Sequence, residues 1–324
     1  MRAMVCQQFG PPESLQNVEL PDPVPAKGQL LIDVEACGVN FPDTLIIEGK
    51  YQLKPDLPFS PGGEVAGIVS AVGEGVQESW IGQSVIALTY YGGFAEKVLV
   101  DEKQLLPRPA GMSGVMAAGF GLVYGTSMHA LKQRANLKAG ETLLVLGAGG
   151  GVGLAAVEIG ALMGATVIAA ASTDEKLEAA RKAGATHLIN YSEKPLREAL
   201  AEIVGKKGVD VVYDPVGGDM FEQALRSTAW NGRVLVVGFA AGDIPKVPVN
   251  LVLLKGCSIV GVFWGSFRTQ ELEADNKNFE QLFDWYAQDK LHPVIGHAMP
   301  LAQAAEALRL LMNRSVIGKL VLTT

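Results

Sequence analysis

The run Gly147-Ala148-Gly149-Gly150-Gly151-Val152-Gly153 is the densest cluster of residues in the chain that could do chemistry. It follows an apolar stretch, 142–146, and opens a helix-like stretch, 151–163. A strand, a glycine turn and a helix in that order make an anion site. Glycines let the backbone turn tightly and let a pyrophosphate approach it, and the helix start offers unpaired N–H groups and partial positive charge. As Gly-x-Gly-x-x-Gly the spacing fits loosely, because Val152 stands where the third glycine belongs. The closing Gly150-Gly151-Val152-Gly153 is unbroken. Gly149, Gly150, Gly151 and Val152 are the candidate phosphate-binding residues, and a purely structural glycine turn is the competing reading.

The next strand, 166–171, selects the nucleotide. A ribose 2′-hydroxyl calls for Asp or Glu about 20 residues beyond the glycines. That place falls near Ala171 and carries no carboxylate; Ser172-Thr173-Asp174-Glu175-Lys176 follow. A hydroxyl and an ammonium suit a 2′-phosphate, which a carboxylate at Ala171 would repel. Ser172 and Lys176 are assigned to that phosphate, and Tyr191 at the next strand end could cover it. Asp174 and Glu175 read as first-turn acids that stabilise a helix dipole. NADPH is therefore favoured over NADH. Ligands of such sheets lie at the carboxyl ends of the strands. Val216, Gly238, Phe239, Ala240, Phe263 and Trp264 all sit in strand-end turns and join the cofactor candidates, with ordinary turns as the alternative.

The elements that must position these residues fall into parts. Up to about residue 122 the chain reads as short strands (30–36, 65–73, 84–88) broken by Pro and Gly, a β-rich barrel-like pattern. From there strands (142–146, 166–171, 187–190, 209–213, 233–237, 258–262) alternate with helices (151–163, 173–183, 195–204, 220–227). Six strands so connected fit a doubly wound parallel sheet. From 265 the pattern changes to helices at 279–289 and 301–312 and a strand at 319–322. This tail is expected to return to the first part, so that 123–264 forms an insertion.

Composition narrows the function classes. With 324 residues, 48% hydrophobic and 19% charged, the chain is globular and long enough for two domains. A net charge of −7 with no basic cluster makes nucleic acid an improbable partner. Three scattered cysteines, Cys6, Cys37 and Cys257, form neither a disulfide framework nor a zinc pattern, which fits a reduced, cytoplasmic setting. The uncharged runs 142–157 and 159–173 hold 16 and 15 residues, short of the roughly 20 a membrane helix needs. The stretch 256–262 is apolar, uncharged and expected at a sheet edge. Pairing with a second copy would cover that edge, so a homodimer is expected.

The sequence resembles the medium-chain dehydrogenase/reductases, and within them the zinc-free quinone oxidoreductase, zeta-crystallin-like branch. Nearly the whole chain carries the likeness: Gly38-Val39-Asn40-Phe41-Pro42-Asp43, Pro61-Gly62-Gly63-Glu64-Val65-Ala66-Gly67, the Gly147–Gly153 run, 172–176, Asn190-Tyr191, Asp214-x-Val216-Gly217-Gly218, Gly232-Arg233-Val234 and Gly238-Phe239. The resemblance implies a GroES-like barrel domain interrupted by a Rossmann domain. Zinc relatives carry Cys and His where this chain has Asn40 and Gly63, so no metal is expected. It further implies that Asn40 and Asp43 line the nicotinamide, that Tyr51 stands at the substrate mouth, and that Thr126 and Arg314 reach the cofactor. For Asp43 a helix cap, and for Tyr51 a packing role, remain open beside these. Leu45, Ile47 and Met128 replace polar family residues and imply a more apolar substrate pocket.

The activity so implied is hydride transfer from NADPH to a quinone or α,β-unsaturated carbonyl without zinc. The rivals are an enoyl-thioester or acrylate reductase of the same fold, and a non-catalytic NADPH-binding structural or RNA-binding protein. Tyr90 and Tyr91 could donate a proton or be loop rim, and His129 reads more simply as a helix histidine than as an acid.

Overall fold

The computed structural model describes residues 1–324. It divides into two compact units, Met1–Leu122 with Ile295–Thr324, and Val123–Val294.

The first unit is built on a seven-stranded sheet. Its order is Ile295–Pro300, Lys319–Thr323, Gln29–Val39, Glu64–Val72, Ser84–Leu88 and Leu105–Pro107, with Lys97–Asp101 also pairing onto Gln29–Val39. The 11-residue strand Gln29–Val39 can serve three partners because its register shifts twice against Glu64–Val72, between Leu31/Ile32 and between Val34/Ala36. Such bulges bend a strand and raise its twist, which curls the sheet into a barrel. Leu30, Ile32, Val65, Val69, Val85 and Phe94 fill the interior. The last strand, Lys319–Thr323, sits in mid-sheet, antiparallel to Gln29–Val39 and parallel to Ile295–Pro300.

The second unit is a six-stranded parallel sheet in the order His187–Asn190, Thr166–Ala171, Thr142–Leu146, Val209–Asp214, Thr228–Val236, Ser258–Gly261. The inner strands are buried almost throughout, as sheets covered by helices on both faces require. The strand order reverses direction at Thr142–Leu146, so the crevice at its carboxyl end is the ligand-binding switch point of this fold class.

The chain stays in the second unit for longer than its sequence pattern suggests. The expected change at 265 falls instead at Ile295. Helices Trp264–Gln270 and Leu272–Ala287 are held there by a buried knot: Trp264 Nε1 donates to Asp275 Oδ1 at 2.8 Å, and Arg268 Nη1 to Asp275 Oδ2 at 2.6 Å. Gln133 and Asn278 exchange amide hydrogen bonds, and the His129 ring stacks on Phe267 at 3.9 Å. These are contacts between particular side chains on different elements, which periodicity cannot reveal. No helix is long and apolar enough to cross a membrane.

Candidate active site

In the second unit, the strand Thr142–Leu146 ends in Gly147, whose φ of +59° turns the chain toward the helix Gly151–Leu162. The first helical bond before the helix interior runs from Leu154 N to Gly150 O at 2.9 Å. The N–H groups of Gly151, Val152 and Gly153 thus have no partner within the helix and remain for an anion. Gly153 is required by packing: a Cβ there would lie 2.3 Å from Gly147 O. Gly149 is required by Lys176, whose Cβ and Cγ would lie 2.5 and 2.6 Å from an added Cβ.

That contact brings the glycine turn and the end of the next strand, the two halves of the candidate nucleotide site, together. Thr173 is the N-cap of Asp174–Lys182, accepting from Lys176 N at 3.4 Å, which leaves Ser172 free of the capping role. Lys176 Nζ lies 3.3 Å from Ser172 Oγ, and Ser192 Oγ donates to Ser172 O at 2.9 Å. Tyr191 is half-buried beside them, its N–H bonded to Ala171 O. Asp174 is turned aside, accepting from Asn190 Nδ2 at 2.9 Å.

The neighbouring turns are tied to one another. Asp214, buried, accepts from Val216 N at 2.7 Å and Gly217 N at 2.9 Å. Gly238 N bonds to Asp214 O and Ala240 N to Pro215 O, and Val216 packs on Gly147. Val216, Gly238, Phe239 and Ala240 therefore lie in one linked pair of turns. Phe263 is exposed at the end of the edge strand. Trp264 corrects the expectation: its indole is buried against Asp275 and Phe279, so at most its backbone is available to a ligand. Thr126 is half-buried in the helix Gly121–Met128. Its neighbour Ser127, unnoticed in the sequence, donates to Val152 O at 3.0 Å and shares a 2.9 Å bond with Tyr213 OH. A fully buried tyrosine thus anchors the first turn of the glycine-led helix.

In the first unit, Asn40 leads into the short helix Phe41–Ile47. Asp43 takes up the capping alternative: Oδ2 accepts from Asn40 N at 2.7 Å and Oδ1 from Gly62 N at 3.2 Å. It is only 2% exposed. Burial pushes its carboxyl up to about 7, although those two N–H groups and Lys319 pull the other way. Tyr51 is half-buried and packs on the barrel core; burial, then the Asp43 charge, raises its hydroxyl. Tyr90 and Tyr91 are exposed. Ile47 and Met128 are fully buried core side chains, and Ile47 belongs to the barrel interior, so neither supports the reading of an apolar substrate pocket. Arg314 is exposed, in left-handed conformation after the helix Ala304–Met312.

Asn40 is surrounded by charge. Lys319 Nζ donates to Asn40 Oδ1 and to Val39 O at 3.0 Å, and pairs with Glu64 Oε2 at 3.2 Å. Glu64 Oε1 accepts from Leu122 N at 2.7 Å, and Oε2 also accepts from Asn40 Nδ2 at 3.2 Å. Lys319 and Glu64 are 5% and 0% exposed. Gly38 makes room for them, since a Cβ there would lie 2.7 Å from Glu64 Oε2 and 2.1 Å from Ala118 O.

Family models match two parts of the chain, the alcohol dehydrogenase GroES-like domain over residues 26–110 and the zinc-binding dehydrogenase over 151–287. The chain is 39% identical over 323 residues to quinone oxidoreductase-like protein 2 of Rattus norvegicus, covering 99% of this chain and 92% of that protein. It is 34% identical over 327 residues to the quinone oxidoreductase of Homo sapiens, covering 99% and 97%. This chain belongs to the quinone oxidoreductase family of medium-chain dehydrogenase/reductases. Among solved structures it is similar to the Escherichia coli quinone oxidoreductase complexed with NADPH, at TM-score 0.93 and 31% identity with both chains fully covered.

One of the two matching family models describes a zinc-binding dehydrogenase. The residues at Asn40 do not fit a zinc ion. Zinc takes thiolate, imidazole or carboxylate ligands. Here Asn40 and Gly63 supply none, and of the two carboxylates beside Asn40, Glu64 is already paired with an ammonium and Asp43 accepts from two backbone N–H groups. No group of three or more His, Cys, Asp or Glu side chains is gathered to hold a metal. Cys37 is buried in the core, its thiol pushed well up by burial and by the nearby Asp43 and Glu64 charges, which disfavours a thiolate. Glu64 and Lys319 themselves carried little sequence signal. Glu64 stood within a motif and Lys319 at the head of a strand, and only the fold brings them together.

Proposed function

We propose that the protein is an NADPH-dependent oxidoreductase that reduces a quinone or an α,β-unsaturated carbonyl compound without zinc. The observation that carries the coenzyme reading is the Lys176 ammonium beside the Ser172 hydroxyl, at a strand end with no carboxylate. NADPH bound there would supply a hydride. The glycine turn and the free N–H groups of 151–153 bind the pyrophosphate. Ser172 and Lys176 hold the 2′-phosphate, with Tyr191 over it. Val216, Gly238, Phe239, Ala240, Phe263, Thr126 and Arg314 are assigned to the remaining contacts. Asn40 positions the nicotinamide end. Asp43 acts through backbone, fixing Asn40 and Gly62. Tyr51 borders the acceptor. The acceptor needs no Lewis acid, because a quinone or enone is already electrophilic and the coenzyme carries the chemistry.

The edge strand Ser258–Gly261 and the helix Val249–Lys255 carry an exposed apolar face, with Val249, Leu253 and Leu254 more than 70% exposed. A second copy paired edge to edge would cover it, so a cytoplasmic homodimer is part of this reading. A sedimenting monomer at micromolar concentration would contradict that part.

The deciding experiment follows absorbance at the nicotinamide band with quinones, enals, acrylates and enoyl-CoA thioesters, using NADPH and NADH in parallel. Turnover with NADPH and a quinone or enone, unaffected by chelators, is expected. Preference for NADH, or loss of activity on chelation with recovery on adding zinc, would refute it.

A further inference from the structure

Asn40 is held by more charge than a capping residue needs. An ammonium can only donate hydrogen bonds and an ionised carboxylate can only accept them. Lys319 Nζ faces one atom of the Asn40 carboxamide and Glu64 Oε2 the other. The first must be oxygen and the second nitrogen, so the pair dictates which way the amide points. Reversing it would set N–H against ammonium and oxygen against carboxylate inside a buried site. Both Nδ2 hydrogens are then committed, to Glu64 Oε2 and to Gly38 O, each at 3.2 Å. Lys319 likewise donates to Val39 O and Asn40 Oδ1 and is ion-paired with Glu64 Oε2. What Asn40 can still offer a ligand is the second lone pair of Oδ1.

We propose that Lys319 and Glu64 are positioning residues that lock Asn40 as a hydrogen-bond acceptor toward an N–H group of the bound coenzyme, such as its nicotinamide carboxamide. This rests on the coenzyme reading above. Asn40 contributes little of its own to this orientation, because an amide rotated by a half-turn has nearly the same shape. A buried salt bridge is weak evidence for stability. Its use here is to reinforce, from both ends of the amide, the orientation that the Gly38 carbonyl also favours.

The test removes both charges together, in Glu64→Gln with Lys319→Met, so that no unpaired charge stays buried. Two ligands are titrated, NADPH and 2′,5′-ADP, which lacks the nicotinamide. The double variant is expected to bind 2′,5′-ADP within about twofold of wild type and NADPH about tenfold more weakly, and to slow hydride transfer about 10–100-fold, as a misplaced positioning group does. In an Asn40→Ala background the same two substitutions should change NADPH binding and transfer by less than about twofold, because nothing is left to orient. Equal losses in both backgrounds, or equal losses for both ligands, would overturn the proposal. A second measurement does not depend on the double variant folding. The Asn40 side-chain NH2, assigned by its disappearance in Asn40→Ala, should give two slowly exchanging proton resonances in the wild-type protein. Rapid exchange of either would show that the amide is not locked. If wild type binds NADPH but turns over no acceptor, the enzymatic reading fails while the binding arms still decide the lock.

Discussion

Replacing Lys176 by Met isolates the charge proposed to select the coenzyme. The stem of Lys176 lies over Gly149, within 2.5–2.6 Å of where a Cβ on that glycine would stand, and Met keeps the stem. The ammonium sits 3.3 Å from Ser172 Oγ and is half-buried. A phosphate about 4 Å from it gains roughly 1 kcal/mol at the permittivity of water and roughly 4 kcal/mol at an effective value of 20. Partial exposure places the loss at about 1–2 kcal/mol. That is roughly a 5–30-fold rise in the Kd for NADPH. NADH has no 2′-phosphate, and its Kd should move by less than about twofold. Lys176→Glu adds repulsion of similar size and should weaken NADPH further, still sparing NADH. Fluorescence titration of both coenzymes at low and moderate salt reads all of this. The wild-type preference for NADPH should shrink as salt rises, since the contact is partly exposed. Equal weakening of NADPH and NADH by Lys176→Met would mean that the stem's packing matters and its charge does not. An unchanged NADPH affinity would remove the argument for a phosphorylated ribose.

Three further outcomes follow from the geometry. Gly153→Ala forces a methyl to within 2.3 Å of Gly147 O, where backbone must yield; about 1–3 kcal/mol of stability and most coenzyme affinity should be lost, by denaturant melts and titration. Burial holds the Asp43 carboxyl at about 7 against an ordinary 3.8, so between these values the native chain keeps a proton the unfolded chain has lost. Wild-type stability relative to Asp43→Asn should therefore fall as pH rises from about 4 to 7, by up to about 1.4 kcal/mol per pH unit, and parallel curves would contradict the shift. Burial lowers His129 from 6.5 to about 4, and its Nδ1 has no partner, so in that window only the unfolded chain takes up the proton. Stability is lost as pH falls below about 6.5, and His129→Phe, which keeps the stack on Phe267, should abolish that loss in urea titrations.

Local pattern was enough for the second unit's strands and for the glycine turn between strand and helix. A continuous apolar strand, a glycine run and a small-residue helix are contiguous in the chain, and so is the Thr173 cap that leaves Ser172 and Lys176 at the strand end. Their chemistry depends on neighbours within a few residues, which is why periodicity and spacing suffice. The strand Ile295–Pro300, the placement of 264–294 and the charge pair at Asn40 were decided by tertiary structure. Lys319 lies 279 positions from Asn40 and Glu64 lies 24, and no short-range rule links them. Trp264 shows the converse: a strand-end position suggested a ligand contact, but a carboxylate 11 residues on drew its indole into the core. The cost of leaving a buried N–H or charge unpaired dictates such choices, and that cost is settled only when distant segments meet.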